Sequence, residues 1–180
     1  MMIRFLTLLS LTSTFFMNGL FSVENSTEVG SVRKKVRKEI KKTFAVESFD
    51  LEENTFEIPN CNFLQNSSFL EIHTQNDFLG YAFIGTAPSK TDSFEYLVLL
   101  NKDLVIIKAK VLVYREDYGG EIGSRRWLSQ FISKDSSSKL SYGGEIVPIS
   151  GATISVRSMT SSINHFLQSL KGFEAETAAP

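Results

Sequence analysis

At 180 residues, 42% hydrophobic and 22% charged, the chain is sized for one sizeable core, so a single domain is expected. The formal charge of -1 and a pI near 6.2 exclude a global electrostatic attraction to nucleic acid, and no nucleic-acid partner is expected. A lone cysteine, Cys61, excludes an intramolecular disulfide, and two histidines without ligand spacing, His73 and His165, leave no expectation of a metal site.

The chain opens with Arg4 followed by FLTLLSLTSTFFMNGLFS, an apolar stretch diluted by Ser, Thr, Asn and Gly. This reads as a signal peptide or N-terminal anchor over residues 1-25, and it predicts an extracytoplasmic protein, periplasmic or exported. An uncleaved segment would leave the protein anchored in the membrane. Residues 26-74 are expected to hold a basic helix and a leading strand segment. In SVRKKVRKEIKKTF, Val32, Val36, Ile40 and Phe44 recur at i, i+4 and define one apolar stripe. Arg33, Lys34, Lys35, Arg37, Lys38, Lys41 and Lys42 fill the other face, which is either a solvated surface or a strip for an anionic membrane or acidic partner.

The middle of the chain is rich in β-branched and aromatic residues. SFLEIHT, FLGYAFIG, SFEYLVLL and LVIIKAKVLVY are read as an antiparallel meander, with NKD at 101-103 turning between the last two. The segment YREDYGGEIGSRRWLSQFISK then changes texture, giving a Gly-rich loop that runs into a short helix bearing Trp127, Phe131 and Ile132. KDSSSKLSYGG is expected to be a mobile polar loop. From Ile154 onward, Val156, Met159, Ile163, Phe166, Leu167 and Leu170 keep a helical period, with Gly172 as the expected stop and residues 173-180 as a tail. The fold class is therefore α+β, an antiparallel sheet with flanking helices.

The heptapeptide ISGATIS, residues 149-155, abuts the start of that last helix. Unpaired N–H groups and the positive end of the helix dipole favour an anion there, and Gly151 and Ala152 leave room for a bulky ligand. An ordinary N-cap by Ser150 or Thr153 needs no ligand and fits the same residues.

SGATIS resembles the flavin-attachment motif of the FMN-binding domain family, found in extracytoplasmic subunits of the Rnf and sodium-pumping NADH:quinone reductase complexes. YREDYGGEIGSRRW is similar to the family segment in which a strand ends in Glu, here Glu116, before a glycine turn near the flavin. The resemblance implies an FMN-binding domain over about residues 75-172 and FMN as cofactor, with a flavin transferase as the partner that joins the FMN phosphate to Thr153. Ser150, Gly151 and Ala152 would shape the phosphate pocket, with Ile154 beginning the helix beside them. Gly119 and Gly120 would let backbone approach the ring, Tyr118 and Trp127 would lie against it, and Arg125 and Arg126 would supply charge. The family signal carries an Asp three residues before SGAT, where this chain has Val147. No nucleophile with an adjacent base is visible, so an electron carrier for membrane or extracytoplasmic redox partners is expected rather than a stand-alone enzyme. A flavin-dependent reductase of an extracytoplasmic acceptor is the alternative, and an exported binding module with a decayed flavin site is the third.

Overall fold

The structure, a computed structural model, describes residues 23-54, 56, 64 and 66-177. Cys61 and the greater part of the apolar N-terminal segment lie outside the described residues. Helix α1 (Val23–Phe44) leads into five strands, β1 (Asp50–Glu53), β2 (Ser68–His73), β3 (Phe78–Pro88), β4 (Ser93–Leu100) and β5 (Ile106–Val113). They form one sheet in the order β1-β2-β3-β4-β5, antiparallel throughout, as the meander reading expects. Short helical turns follow, including α2 (Arg125–Leu128), and the long helix α3 (Thr153–Thr177) closes the chain.

The sheet is covered on both faces. Phe69, Tyr81, Phe83, Phe94, Tyr96, Val98 and Leu100 turn to α3, where they meet Val156, Met159, Ile163, Phe166, Leu167 and Leu170. Phe83 stacks on Phe166 with ring centroids 3.8 Å apart, and the buried Tyr96 hydroxyl lies 2.6 Å from Ser162 Oγ. On the opposite face Ile72, Ala82, Leu97, Leu99 and Leu112 pack with Val36, Ile40 and Phe49. This double burial explains the unbroken apolar run in SFEYLVLL, since a strand with both faces covered has no wet side to alternate with. The α1 stripe is as read, with Val36 and Ile40 buried and Val32 and Phe44 packed at its edge.

Three expectations are corrected. Helix α3 does not stop at Gly172 but runs to Thr177, because Phe173 is buried among Phe56, Phe69 and Tyr81 and continues the apolar stripe past the glycine. Strand β5 ends at Val113, so Glu116 lies in the following loop rather than at a strand terminus. The polar stretch after Phe131 is held to α3: Ser136 donates to the Glu174 carboxylate, Gln168 donates to the carbonyls of Ser136 and Ser138, and Leu140 N–H donates to Asn164. The seven basic side chains of α1 are all exposed, and two of them also bond the fold. Lys35 Nζ donates to Leu112 O at 2.9 Å on the outer edge of β5, and Arg37 donates to Phe49 O while its guanidinium lies 4.6 Å over the Phe49 ring.

Candidate functional site

The site is built where the chain enters α3. Ala152 N–H bonds Ile149 O at 3.3 Å, and Val156 N–H makes the first i to i-4 bond to Ala152 O at 2.9 Å, which places Ala152 at the N-cap position. An alanine side chain cannot cap. Among the described residues the N–H groups of Thr153, Ile154 and Ser155 make no hydrogen bond, and neither does the hydroxyl of Ser150 or Thr153. The ordinary capping reading is thereby removed: the hydroxyls that would serve as caps stand free, and three backbone donors converge at the positive end of a 25-residue helix. Ser150, Gly151, Thr153 and Ile154 are exposed, whereas Ala152 and Ser155 are buried.

The Gly-rich loop is brought directly against this turn. A Cβ added at Gly119 would fall 2.9 Å from Ala152 Cβ, 3.1 Å from Gly151 O and 3.1 Å from the Tyr114 hydroxyl. Gly119 also has φ +80, a left-handed conformation that suits glycine, so both its backbone and its missing side chain are required. Three successive residues fix the loop. Tyr114 OH lies 3.0 Å from Ser155 Oγ in the first turn of α3. Arg115 donates to Ser93 O at 2.8 Å and pairs with Glu95. The Glu116 carboxylate accepts from Thr91 N–H at 2.7 Å and Thr91 Oγ1 at 3.0 Å. Bonds from the Ser89 hydroxyl and the Thr91 backbone pull the Glu116 pKa down to about 2. Both of its oxygens are engaged at the tip of the β3–β4 hairpin, so Glu116 braces the loop that carries Tyr118 and Gly119.

The other side of the turn is held by α2. Ser124 caps α2 by accepting from Trp127 N–H. The buried Trp127 donates through Nε1 to Val147 O at 3.0 Å, and Gln130 Oε1 accepts from Val147 N–H at 2.7 Å. Val147 is thus pinned through both backbone groups while its side chain stays 62% exposed beside the motif. Trp127, edge-on to Phe131, anchors this segment from the core and presents no open ring face. Tyr118, 82% exposed, is the aromatic left free on the loop. Gly120 meets nothing within 4 Å and begins a short 3-10 turn. Arg126 is exposed on α2, and Arg125 lines a groove of ≈ 270 Å³ with Lys42, Lys108 and Lys110 at the β5 edge. The structure therefore brings Gly119 against Gly151 and Ala152, with Tyr118 exposed on the same loop and Glu116 and Trp127 as supports, and it places Arg125 in the groove at the β5 edge.

Sequence reasoning missed Tyr114, Ser155 and Gln130.

An exposed hydroxyl amid unpaired backbone donors, at a helix start lined by small residues, is an arrangement suited to a phosphate-bearing ligand that comes close to the main chain. Residues 91–168 match the family model described as FMN-binding domain, and this stretch of the chain is an FMN-binding domain with FMN as its cofactor. The match spans β4, β5, the braced loop, α2, the motif and most of α3, the elements that build the site. No curated protein matches the chain. The donor set fits the cofactor: three free N–H groups suit a phosphate, and the exposed Tyr118 ring beside Gly119 suits a flat heteroaromatic.

Proposed function

We propose that this flavin-binding protein is an exported electron carrier whose FMN is esterified through its phosphate to Thr153. The observation that carries the proposal is the Thr153 hydroxyl, exposed and without a hydrogen bond among the described residues, at a helix start whose first three N–H groups are unpaired. In the attachment step, Thr153 Oγ bonds to the flavin-side phosphorus of a flavin dinucleotide brought by a transferase. The P–O bond to the departing nucleoside monophosphate breaks, and the hydroxyl proton leaves with the transferase's base. The N–H groups of Thr153, Ile154 and Ser155 would hold the phosphoester's negative charge.

Once bound, the flavin supplies one- and two-electron chemistry. The protein orients it through the braced loop, and Tyr118 is its aromatic neighbour. The reading also places the protein outside the cytoplasm with membrane or extracytoplasmic redox partners, supported by the apolar stretch that precedes α1. Arg33, Lys34, Lys38, Lys41 and Lys42, all exposed and without the fold contacts of Lys35 and Arg37, form the strip suited to an anionic membrane surface. Helix α1 covers the sheet face opposite α3, so such contact would leave the flavin side turned toward partners. Co-expression with a flavin transferase tests the attachment. Wild type should carry flavin through denaturation and Thr153→Ala should not. Flavin retained covalently by Thr153→Ala would refute it.

A further inference from the structure

We propose that Arg157 is the cationic group that pairs with the flavin's phosphoester on Thr153, an inference that rests on the attachment proposed above. Residues four apart on a helix lie with their Cβ atoms about 5–6 Å apart on one face, so Arg157 is the basic side chain that α3 itself sets beside Thr153. Arg157 is exposed and has no carboxylate partner among the described residues. Its guanidinium is nevertheless positioned, with Cζ 4.9 Å over the Tyr142 ring.

The turn that carries Tyr142 is held, and the half-buried Tyr142 packs against the core. Gly143 N–H bonds Ile146 O at 2.9 Å, Leu140 N–H bonds Asn164 Oδ1 at 2.8 Å, and Val147 is pinned by Gln130. A ring packed on a held turn restricts a long side chain that would otherwise sample many rotamers, so less freedom is lost when it meets an anion. The guanidinium lies over the tyrosine ring, and its N–H groups make no hydrogen bond among the described residues. The backbone N–H groups at the helix start approach a phosphate from the end of the helix, and Arg157 approaches it from the side. Arg125 and Arg126, the arginines the sequence singles out, project from α2, and Arg125 lines the β5-edge groove instead.

The test uses the full chain co-expressed with limiting flavin transferase, comparing wild type, Arg157→Gln and Arg157→Lys. Intact mass gives the rate of flavin attachment, the 31P spectrum of the loaded protein gives the phosphoester's environment, and thermal melting reports folding. Loss of a charge-assisted hydrogen bond predicts attachment slowed about tenfold or more in Arg157→Gln. The 31P line should also move in Arg157→Gln, both effects should be largely rescued by Arg157→Lys, and the melting temperature should match wild type. Attachment at the wild-type rate with an unmoved 31P line would overturn the inference while leaving Thr153 as the attachment point. Slow attachment with an unmoved 31P line would assign Arg157 to transferase contact and overturn it equally. A wild-type protein that takes no flavin at Thr153 would remove the underlying reading and this inference together.

Discussion

Gly119→Ala tests whether the Gly-rich loop and the SGAT turn bear on each other as the geometry requires. Two costs should add. A non-glycine residue in the left-handed region, here φ +80, costs roughly 1–2 kcal/mol. Forcing a methyl to within 2.9 Å of Ala152 Cβ and 3.1 Å of Gly151 O, both on a pinned turn, costs about 1–3 kcal/mol more. The sum, about 2–5 kcal/mol, is a large part of the roughly 5–15 kcal/mol that holds a domain together. Gly151→Ala is the matched control, because it has φ +81 but nothing within 4 Å, and so bears the strain without the clash. Gly120→Ala carries neither, and should stabilise by about 0.4–1 kcal/mol through the unfolded chain. Urea unfolding of the three variants, with flavin attachment measured alongside, should give the order Gly119→Ala well below Gly151→Ala, and Gly120→Ala at or above wild type. Equal losses for Gly119→Ala and Gly151→Ala would mean that the two loops do not touch.

Three further outcomes follow from the supports of the site. Because Glu116 has its pKa lowered to about 2 by folding, its contribution is present above its unfolded value of 4.5 and is lost as pH falls through about 2. The melting-temperature gap between wild type and Glu116→Gln should therefore be full at pH 7 and shrink between those two pH values; a gap independent of pH would show that the carboxylate charge is not what braces the hairpin. Trp127→Phe removes the donor to Val147 O and part of a buried ring, and should cost about 1–3 kcal/mol while speeding amide exchange in residues 147–152. Unchanged exchange there would detach α2 from the site. Ser155→Ala, which breaks the contact with Tyr114, should cost about 1 kcal/mol, and the same loss in a Tyr114→Phe background would show that the pair is not coupled.

The sheet was legible because its strands carry alternating or doubly buried apolar residues, and SFEYLVLL announces a central strand by its density alone. The site's core was legible through SGATIS, a local sequence that meets its ligand with contiguous backbone and side-chain groups. What lay beyond reach depended on contacts distant in sequence. Glu116 looked like a residue near the flavin, but its oxygens are taken by Thr91, 25 residues away. Trp127 looked like a ring for stacking, but the carbonyl of Val147, 20 residues on, claims its N–H and the core claims its faces. Gly172 carried the local signal of a helix end, which the burial of Phe173 overrides. Serines between 136 and 141 gave a polar texture that reads as mobile, and only the partners on α3 reveal a bound strap.

The most direct measurement is the intact mass, under denaturing conditions, of the protein produced with a flavin transferase, followed by peptide mapping. The account predicts an added mass equal to FMN less water, confined to the peptide that contains Thr153 and absent from Thr153→Ala. An unmodified mass under conditions in which a known acceptor of the same transferase is fully loaded would contradict it.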